Sequence, residues 1–387
     1  MSPTACHVST FAPTQCGIAT YVADLIDSLP LWKSSPLRMV FAGRDISVAP
    51  LGSDGTLAAD VASRQEYAAM AAVVNSGPCD LVSLQHEFGI FAGDDGEYVL
   101  DLVAAIRKPL VTTLHTVSPS LTPRRIAILQ RLLLHSTRTV VLSDEDASVL
   151  SSFTTIPVNG IEVIRHGVPD TPFRYPAETG LRRVFGADVV FVSSGHLRPK
   201  KGYHLALRAL ALLKRTQKSF RYLLLGRGQA QYGHGTLYRE EVRALVDDLG
   251  LTDDVAWVED YLPLPQLIEH ITAADLGLVT YTQKDQASSG VLPLMLALGR
   301  PVVATSFAYA HRMAARTPGI HLARSDSPED LCEVIRDTIR DRHALRAEMV
   351  RAHSAMRPYV WARVGEEYAR VFRAALAAGS TAQPFLQ

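Results

Sequence analysis

Short apolar runs alternate with stretches of helical periodicity along the chain, the pattern of parallel α/β sheets rather than of a sandwich or a helical bundle. In the first half, residues 5–9, 38–42, 81–85, 110–114, 139–142 and 162–164 read as strands. The pattern starts afresh in the second half with 189–193, 221–225, 255–257, 276–281 and 301–304. Helical spacing of apolar positions fills segments such as 18–28, 203–214, 237–248 and 328–338. Two doubly wound α/β domains follow.

The join falls at 166–179, where Gly167, Pro169, Pro172 and Pro176 interrupt any regular element. The expected division is 1–170 for the first domain, 180–355 for the second, 356–378 for a terminal helix and 379–387 for a disordered small-residue tail. In open α/β sheets ligands sit beyond the carboxyl ends of the strands, so a cleft between the domains and the residues just after each strand become the places to look.

Composition narrows the classes. The chain has 387 residues, 47% hydrophobic and 20% charged, with Lys plus Arg equal to Asp plus Glu at 39 each. That balance argues against a nucleic-acid binder. No apolar stretch of the roughly 20 residues needed to cross a bilayer is free of charges, and 1–13 lacks the features of a signal peptide, so a cytoplasmic protein is expected. Cys6, Cys16, Cys79 and Cys332 are scattered without CxxC spacing and there is no HExxH, so no zinc site or disulfide framework is indicated. The charge is uneven, however. No acid lies between Asp101 and Asp144, nor between Asp188 and Glu240, and the second window holds Arg198, Lys200 and Lys201. Local positive fields of this kind favour anionic ligands.

Several strand ends carry usable chemistry. After the first strand, Cys16-Gly17-Ile18 opens a helix, where a glycine lets backbone amides approach a phosphate. The third strand ends in Gln85-His86-Glu87 and the fourth in Leu114-His115-Thr116, two imidazoles able to meet a sugar hydroxyl or developing charge. In the second half, 195–202 contains Arg198, which can fork onto phosphate oxygens, and Lys201, which places a point charge. The segment Asp285-Gln286-Ala287-Ser288-Ser289-Gly290 precedes a helix beginning at Val291, a position suited both to serine capping and to anion binding. Gly226-Arg227-Gly228 lacks the third glycine of a dinucleotide fingerprint, and Asp144-Glu145-Asp146 after Ser143 reads as a capped helix start rather than a metal motif.

Taken in order, Cys16–Tyr21, Gln85–Gly89, Leu114–Thr116, His166-Gly167-Val168, Arg198–Gly202, and Ser288–Leu292 with Gly299-Arg300-Pro301 resemble the retaining glycosyltransferases of family 4. The resemblance spans nearly the whole chain and includes a terminal helix that in the family crosses back onto the first domain. It implies a GT-B fold, two doubly wound Rossmann-like domains facing a central cleft. The first domain would serve the acceptor side and the second a nucleotide sugar, UDP- or GDP-linked. Carried over by position, Gly17 would meet donor phosphate through its backbone, His115 would lie beside the transferred sugar, and Arg198 with Lys201 would hold the diphosphate. Asp285, Gln286, Ser288, Ser289, Gly290 and Val291 complete the expected donor set, and His86 and Glu87 are expected acceptor or sugar contacts. No cofactor or dedicated metal is implied, because cationic side chains and helix ends neutralise the leaving group.

Two departures stand out. Family members often carry paired glutamates seven residues apart, and those positions are Gln286 and Leu294 here. The arginine often found after the diphosphate-loop glycine is replaced by His196, with Arg198 two positions on. A subgroup with this Ser-Ser-Gly loop shares them. The expected activity is transfer from a nucleoside diphosphate sugar to a hydroxyl on a glycan, small molecule or lipid; a GT-B-type sugar-nucleotide epimerase and an inactive sugar-nucleotide-binding protein are the alternatives. Segment 123–138 joins Arg124, Arg125 and Arg131 to Ile126, Ile128, Leu129, Leu132 and Leu133, so peripheral contact with the inner membrane face and an ordinary half-buried helix are both open readings.

Overall fold

The structure is a computed structural model that describes residues 2–12, 14–40, 57–60, 63–154, 160–226 and 235–381. The chain divides into two compact units, Met1–Gly167 with Tyr359–Gln387, and Val168–Pro358. The first contains a sheet of seven strands: β1 (Thr4–Ser9), β2 (Lys33–Val40), β3 (Leu57–Asp60), β4 (Leu81–His86), β5 (Leu110–Leu114), β6 (Arg138–Val141) and β7 (Ile161–Val163). The second contains a sheet of six: β8 (Val189–Ser194), β9 (Phe220–Leu225), β10 (Val255–Val258), β11 (Leu276–Val279), β12 (Val302–Ala304) and β13 (Ile320–Leu322).

The described ladders are parallel. Every residue of β4 and β5 is buried, including the polar Ser83, Gln85, His86, Thr112 and Thr113, as expected where helices cover both faces of a parallel sheet. On one side of the first sheet, Val8, Leu84 and Leu114 pack with Ile128 and Leu132. On the other, Ala5, Leu81, Val111 and Val140 pack with Tyr21 and Leu25 of helix Gly17–Ser28 and with Tyr368 and Phe372 of the last helix, Trp361–Thr381. The α/β, doubly wound expectation holds for both sheets.

Strand order is β3-β2-β1-β4-β5-β6-β7 in one sheet and β10-β9-β8-β11-β12-β13 in the other. In each, the direction of winding reverses beside the first strand, so the loops after β1 and β4, and after β8 and β11, diverge and leave a crevice at the strand ends. These are the loops that carry the candidate residues.

The differences from expectation lie at edges and ends. β2 starts at Lys33 rather than 38, because Lys33 to Leu37 pair with Thr4 to Val8; residues 41 and 42 lie outside the described residues. β3 and β13 were not expected. Each is an edge strand of three or four residues, held by one neighbour rather than by its own apolar content. The last helix begins at Trp361 and continues to Thr381, so 379–381 are helical rather than part of an irregular tail, and 382–387 lie outside the described residues.

Candidate functional site

In the second unit, the chain leaves β8 through Gly195, makes a short 3-10 turn at Pro199–Lys201, and enters helix Tyr203–Leu213 through Gly202. Gly202 has φ +66°, and a Cβ there would lie 1.8 Å from the carbonyl oxygen of Thr280. The loop therefore presses against the chain just beyond β11, and only glycine allows the approach. Thr280 Oγ1 donates to the Gly202 carbonyl at 2.8 Å and the Thr282 amide to the Lys200 carbonyl at 3.0 Å. The result is a fixed corner that carries the half-buried side chains of Arg198 and Lys201.

Tyr281 ties this corner to the second loop. The Lys201 ammonium sits 3.7 Å above its ring, and its hydroxyl lies 3.2 Å from Ser289 Oγ. The ring itself is stacked on Phe307. Residues expected on two separate loops, Lys201 and Ser289, thus meet through one buried tyrosine. Next to them His196 is pushed down to about 4 by burial and by the charges of Arg198 and Lys201, and so is neutral at pH 7.

Between β11 and helix Val291–Ala297, Asp285 and Gly290 are exposed, Gln286, Ser288 and Val291 are partly buried, and Ser289 is buried. Ser289 Oγ accepts the Leu292 amide at 3.4 Å, and Gln286 donates from Nε2 to the Ser288 carbonyl at 3.0 Å. Arg312 donates to the Ala287 carbonyl, and the Tyr309 amide to that of Gln286, so the loop is shaped from the neighbouring helix Ala308–Ala314. The Gly-Arg-Pro segment has a structural role: Arg300 is fully buried and donates to the carbonyls of Leu298, Thr272, Ala274 and Arg174. Burial pushes its guanidinium down to about 9.

In the first unit, Gly17 is the first residue of its helix, and the preceding Cys16 caps it by accepting the Ala19 amide. A Cβ at Gly17 would meet nothing within 4 Å. Neither crowding nor a left-handed backbone calls for glycine at this position. His115, just past β5, is 6% exposed; its Nε2 lies 2.9 Å from Gln85 Oε1, and the Tyr21 ring stands edge-on to it with centroids 4.7 Å apart. Burial, then His166 and His86, push His115 down to about 3. His166 flanks the other side of Tyr21 at 5.0 Å and shares its Nδ1 with the Gly167 carbonyl at 2.7 Å. Glu87 is partly buried and accepts from Thr116 Oγ1 at 2.6 Å and from the Phe88 amide at 3.1 Å.

His86 is fully buried, neither ring nitrogen has a hydrogen-bond partner among the described residues, and the ring lies against Phe88 and Phe91. Segment 123–138 has the half-buried form that one of its two readings expects. In helix Pro123–His135, Ile128, Leu129 and Leu132 are buried in the first unit, and Arg124 and Arg125 pair with Asp94 and Asp95. Asp144 to Asp146 form the first turn of a helix capped by Ser143 Oγ, which accepts the Asp146 amide at 3.0 Å. Arg227 and Gly228 lie outside the described residues. Among the described residues there is no group of three His, Cys, Asp or Glu placed to hold a metal, and no helix long and apolar enough to cross a membrane.

Tyr281, Gln85 and His166 were not among the expected contacts. Tyr281 closes an apolar run and reads as strand, Gln85 is an uncharged amide, and only His166 carried a signal, its place in the His166-Gly167-Val168 motif.

Residues 187–341, which lie within the second unit, match the family model of glycosyl transferases group 1. The chain carries a glycosyltransferase domain. No curated protein matches the sequence. Among solved structures, a sucrose-phosphate synthase from Thermosynechococcus elongatus aligns with TM-score 0.79 at 15% identity, covering 97% of this chain and 100% of that one. Anabaena HepE in complex with UDP and glucose aligns with TM-score 0.70 at 17% identity, over 96% of this chain and 100% of that one. A glycosyltransferase from Rickettsia africae gives 0.73 at 14%, over 97% and 99%. These identities are low, and what they establish is the fold. It is GT-B, in which the glycosyltransferase domain forms one of two Rossmann-like units.

Proposed function

We propose that this protein is a retaining glycosyltransferase of family 4 that moves a sugar from a nucleoside diphosphate sugar to a hydroxyl acceptor. The observation that carries the reading is the Tyr281 junction, which places Lys201 and the Ser289 loop at one corner of the group 1 domain, at the winding reversal of its sheet. Half-buried cations at such a corner suit a diphosphate, and after burial their charges are what lower His196 further. The complex of Anabaena HepE with UDP and glucose supports the same donor class.

In the proposed reaction the acceptor oxygen bonds to the anomeric carbon on the face from which the nucleotide departs. The bond from that carbon to the phosphate oxygen breaks, and the acceptor proton passes to the departing oxygen. Arg198 and Lys201 offset the charge that develops on the diphosphate, and the amides of Ser289, Gly290 and Val291 add to this. His115 contacts the transferred sugar, and the Gly17 backbone approaches donor phosphate.

A thermal-shift series with UDP, GDP, ADP and their sugars tests the reading, since a ligand present at 100 times its Kd stabilises by about 2.7 kcal/mol. One nucleotide series is expected to raise the midpoint, and its sugar conjugate to be consumed only with acceptor. Absence of any shift overturns the donor class. Conversion of the sugar nucleotide without acceptor assigns the site to an epimerase instead.

A further inference from the structure

We propose that Gln85 is a positioning residue for His115, fixing the imidazole as the tautomer with its proton on Nε2, so that Nδ1 meets a ligand hydroxyl as a lone-pair acceptor. The kinetic part rests on the reading of His115 as a sugar contact; the tautomer part does not.

Gln85 is fully buried near the end of β4. Its Oε1 lies 2.9 Å from His115 Nε2, while its amide nitrogen faces Ser83 Oγ at 3.5 Å. An amide oxygen can only accept, so the shared hydrogen belongs to the imidazole, and the bond made by one ring nitrogen decides the state of the other. Among the described residues, the titratable groups that act on the ring are His86 and His166, neither of them an anion, and Tyr21 stands edge-on to it. With one N–H and no anion to support a second, Nδ1 keeps its lone pair.

The ring is also held against flipping. Tyr21 is pinned by its hydroxyl to Tyr368 at 2.9 Å, and Tyr368 to Thr113 at 3.0 Å, so the aromatic wall beside His115 is fixed from the last helix. A flip would set a ring carbon against Gln85 Oε1 and leave a buried acceptor unpaired. The chemical consequence is selective. A neutral acceptor nitrogen pairs with a sugar O–H, and a deoxy or methyl-ether position there would leave Nδ1 without a partner.

Imidazole proton–nitrogen correlation spectra of the 15N-labelled full chain test this, with His115 assigned by its loss in His115→Gln. The wild type is expected to show the Nε2–H pattern, unchanged from pH 8 to pH 5. Gln85→Met keeps the length of the side chain without the acceptor, and is expected to mix the tautomers and lower kcat by about 10-fold while the donor KM stays within about twofold. Gln85→Glu restores an acceptor and is expected to restore the Nε2–H pattern at pH 8, with a second ring proton appearing as the pH falls because the carboxylate supports it. A wild-type proton on Nδ1, or an unchanged pattern in Gln85→Met, overturns the proposal, and the wild-type spectrum decides the first point even if neither variant folds. If Gln85→Met mixes the tautomers and transfer is unaffected, the positioning stands and the sugar-contact reading of His115 fails.

Discussion

At the winding reversal of the second sheet the chain sets the Lys201 ammonium over a buried tyrosine, with Arg198 on the same loop. In the first sheet the ends of β4 and β5 carry histidines, His86 and His115, whose protonation burial opposes. Arg198 and Lys201 are half-buried, and their charges add to the burial that holds His196 away from protonation; at His115 burial is again the first cause, and the neighbours that add to it are His166 and His86. One fold, used twice, thus offers a positive corner and one lined by uncharged imidazoles. The difference lies in the loops at the strand ends and not in the strands themselves.

The comparison breaks most visibly at the positive corner. Arg198→Ala with Lys201→Ala is expected to lower kcat/KM by about 1,000-fold, on the order of 4 kcal/mol of transition-state stabilisation. The midpoint of thermal unfolding without ligand should move little. Steady-state transfer assays read the first and calorimetry the second; unchanged turnover would remove both residues from the site.

The corner's geometry gives the next effect. Gly202→Ala adds a Cβ at a left-handed position and into the Thr280 carbonyl. Strain and overpacking together are expected to cost more than about 3 kcal/mol, read as a lower urea midpoint and weakened nucleotide binding. A stable variant with wild-type nucleotide affinity would show that the corner is not what holds the cations in place.

Much of this division is legible in the sequence, and the reasons are local. Strands covered on both faces are rich in apolar residues, so β4, β5, β8 and β9 stand out, and cations after a strand announce themselves by charge. What pairing decides is not legible in the same way. His86 and His115 look equivalent as strand-end histidines, yet His86 pairs in register with Leu114 and packs with Phe88 and Phe91, while its neighbour Gln85 pairs with Thr113 and reaches His115. Adjacent residues of a strand face opposite sides, so a one-residue difference in parity decides which of the two reaches His115. Tyr281 is hidden for a related reason: its junction between Lys201 and Ser289 exists only once two loops are folded together.

Acid should separate the two units by a smaller amount. Burial pushes His7, His86 and His115 of the first unit down to about 3, whereas in the second unit His196 is pushed to about 4 and His204 is lowered, both with burial as the first cause. In the unfolded chain each takes up a proton near pH 6.5. Between pH 6.5 and those lower values the unfolded state binds more protons, so stability falls as pH falls, by on the order of 1 kcal/mol per pH unit for each of His7, His86, His115 and His196. Hydrogen exchange between pH 6.5 and 5, where carboxylates contribute less, is expected to show protection declining more steeply in the first unit. A steeper decline in the second would mean that the first unit's histidines gain partners on folding that offset their burial.

Gly17 sharpens the comparison with Gly202 through the smallest effect. Both open helices at winding reversals, but Gly202 is required by its own chain and Gly17 is not: a Cβ there meets nothing within 4 Å. Gly17→Ala in the first turn should therefore leave stability unchanged or raise it by up to about 0.5 kcal/mol, since alanine is the better helix former. If the proposed donor phosphate approaches this backbone, the same change should raise the donor KM, because the methyl group occupies space the ligand needs. Stability and affinity then move in opposite directions, which a purely structural glycine cannot produce. If Gly17→Ala binds donor as the wild type does, the glycine marks only a helix start, and the donor contacts belong to the second unit alone.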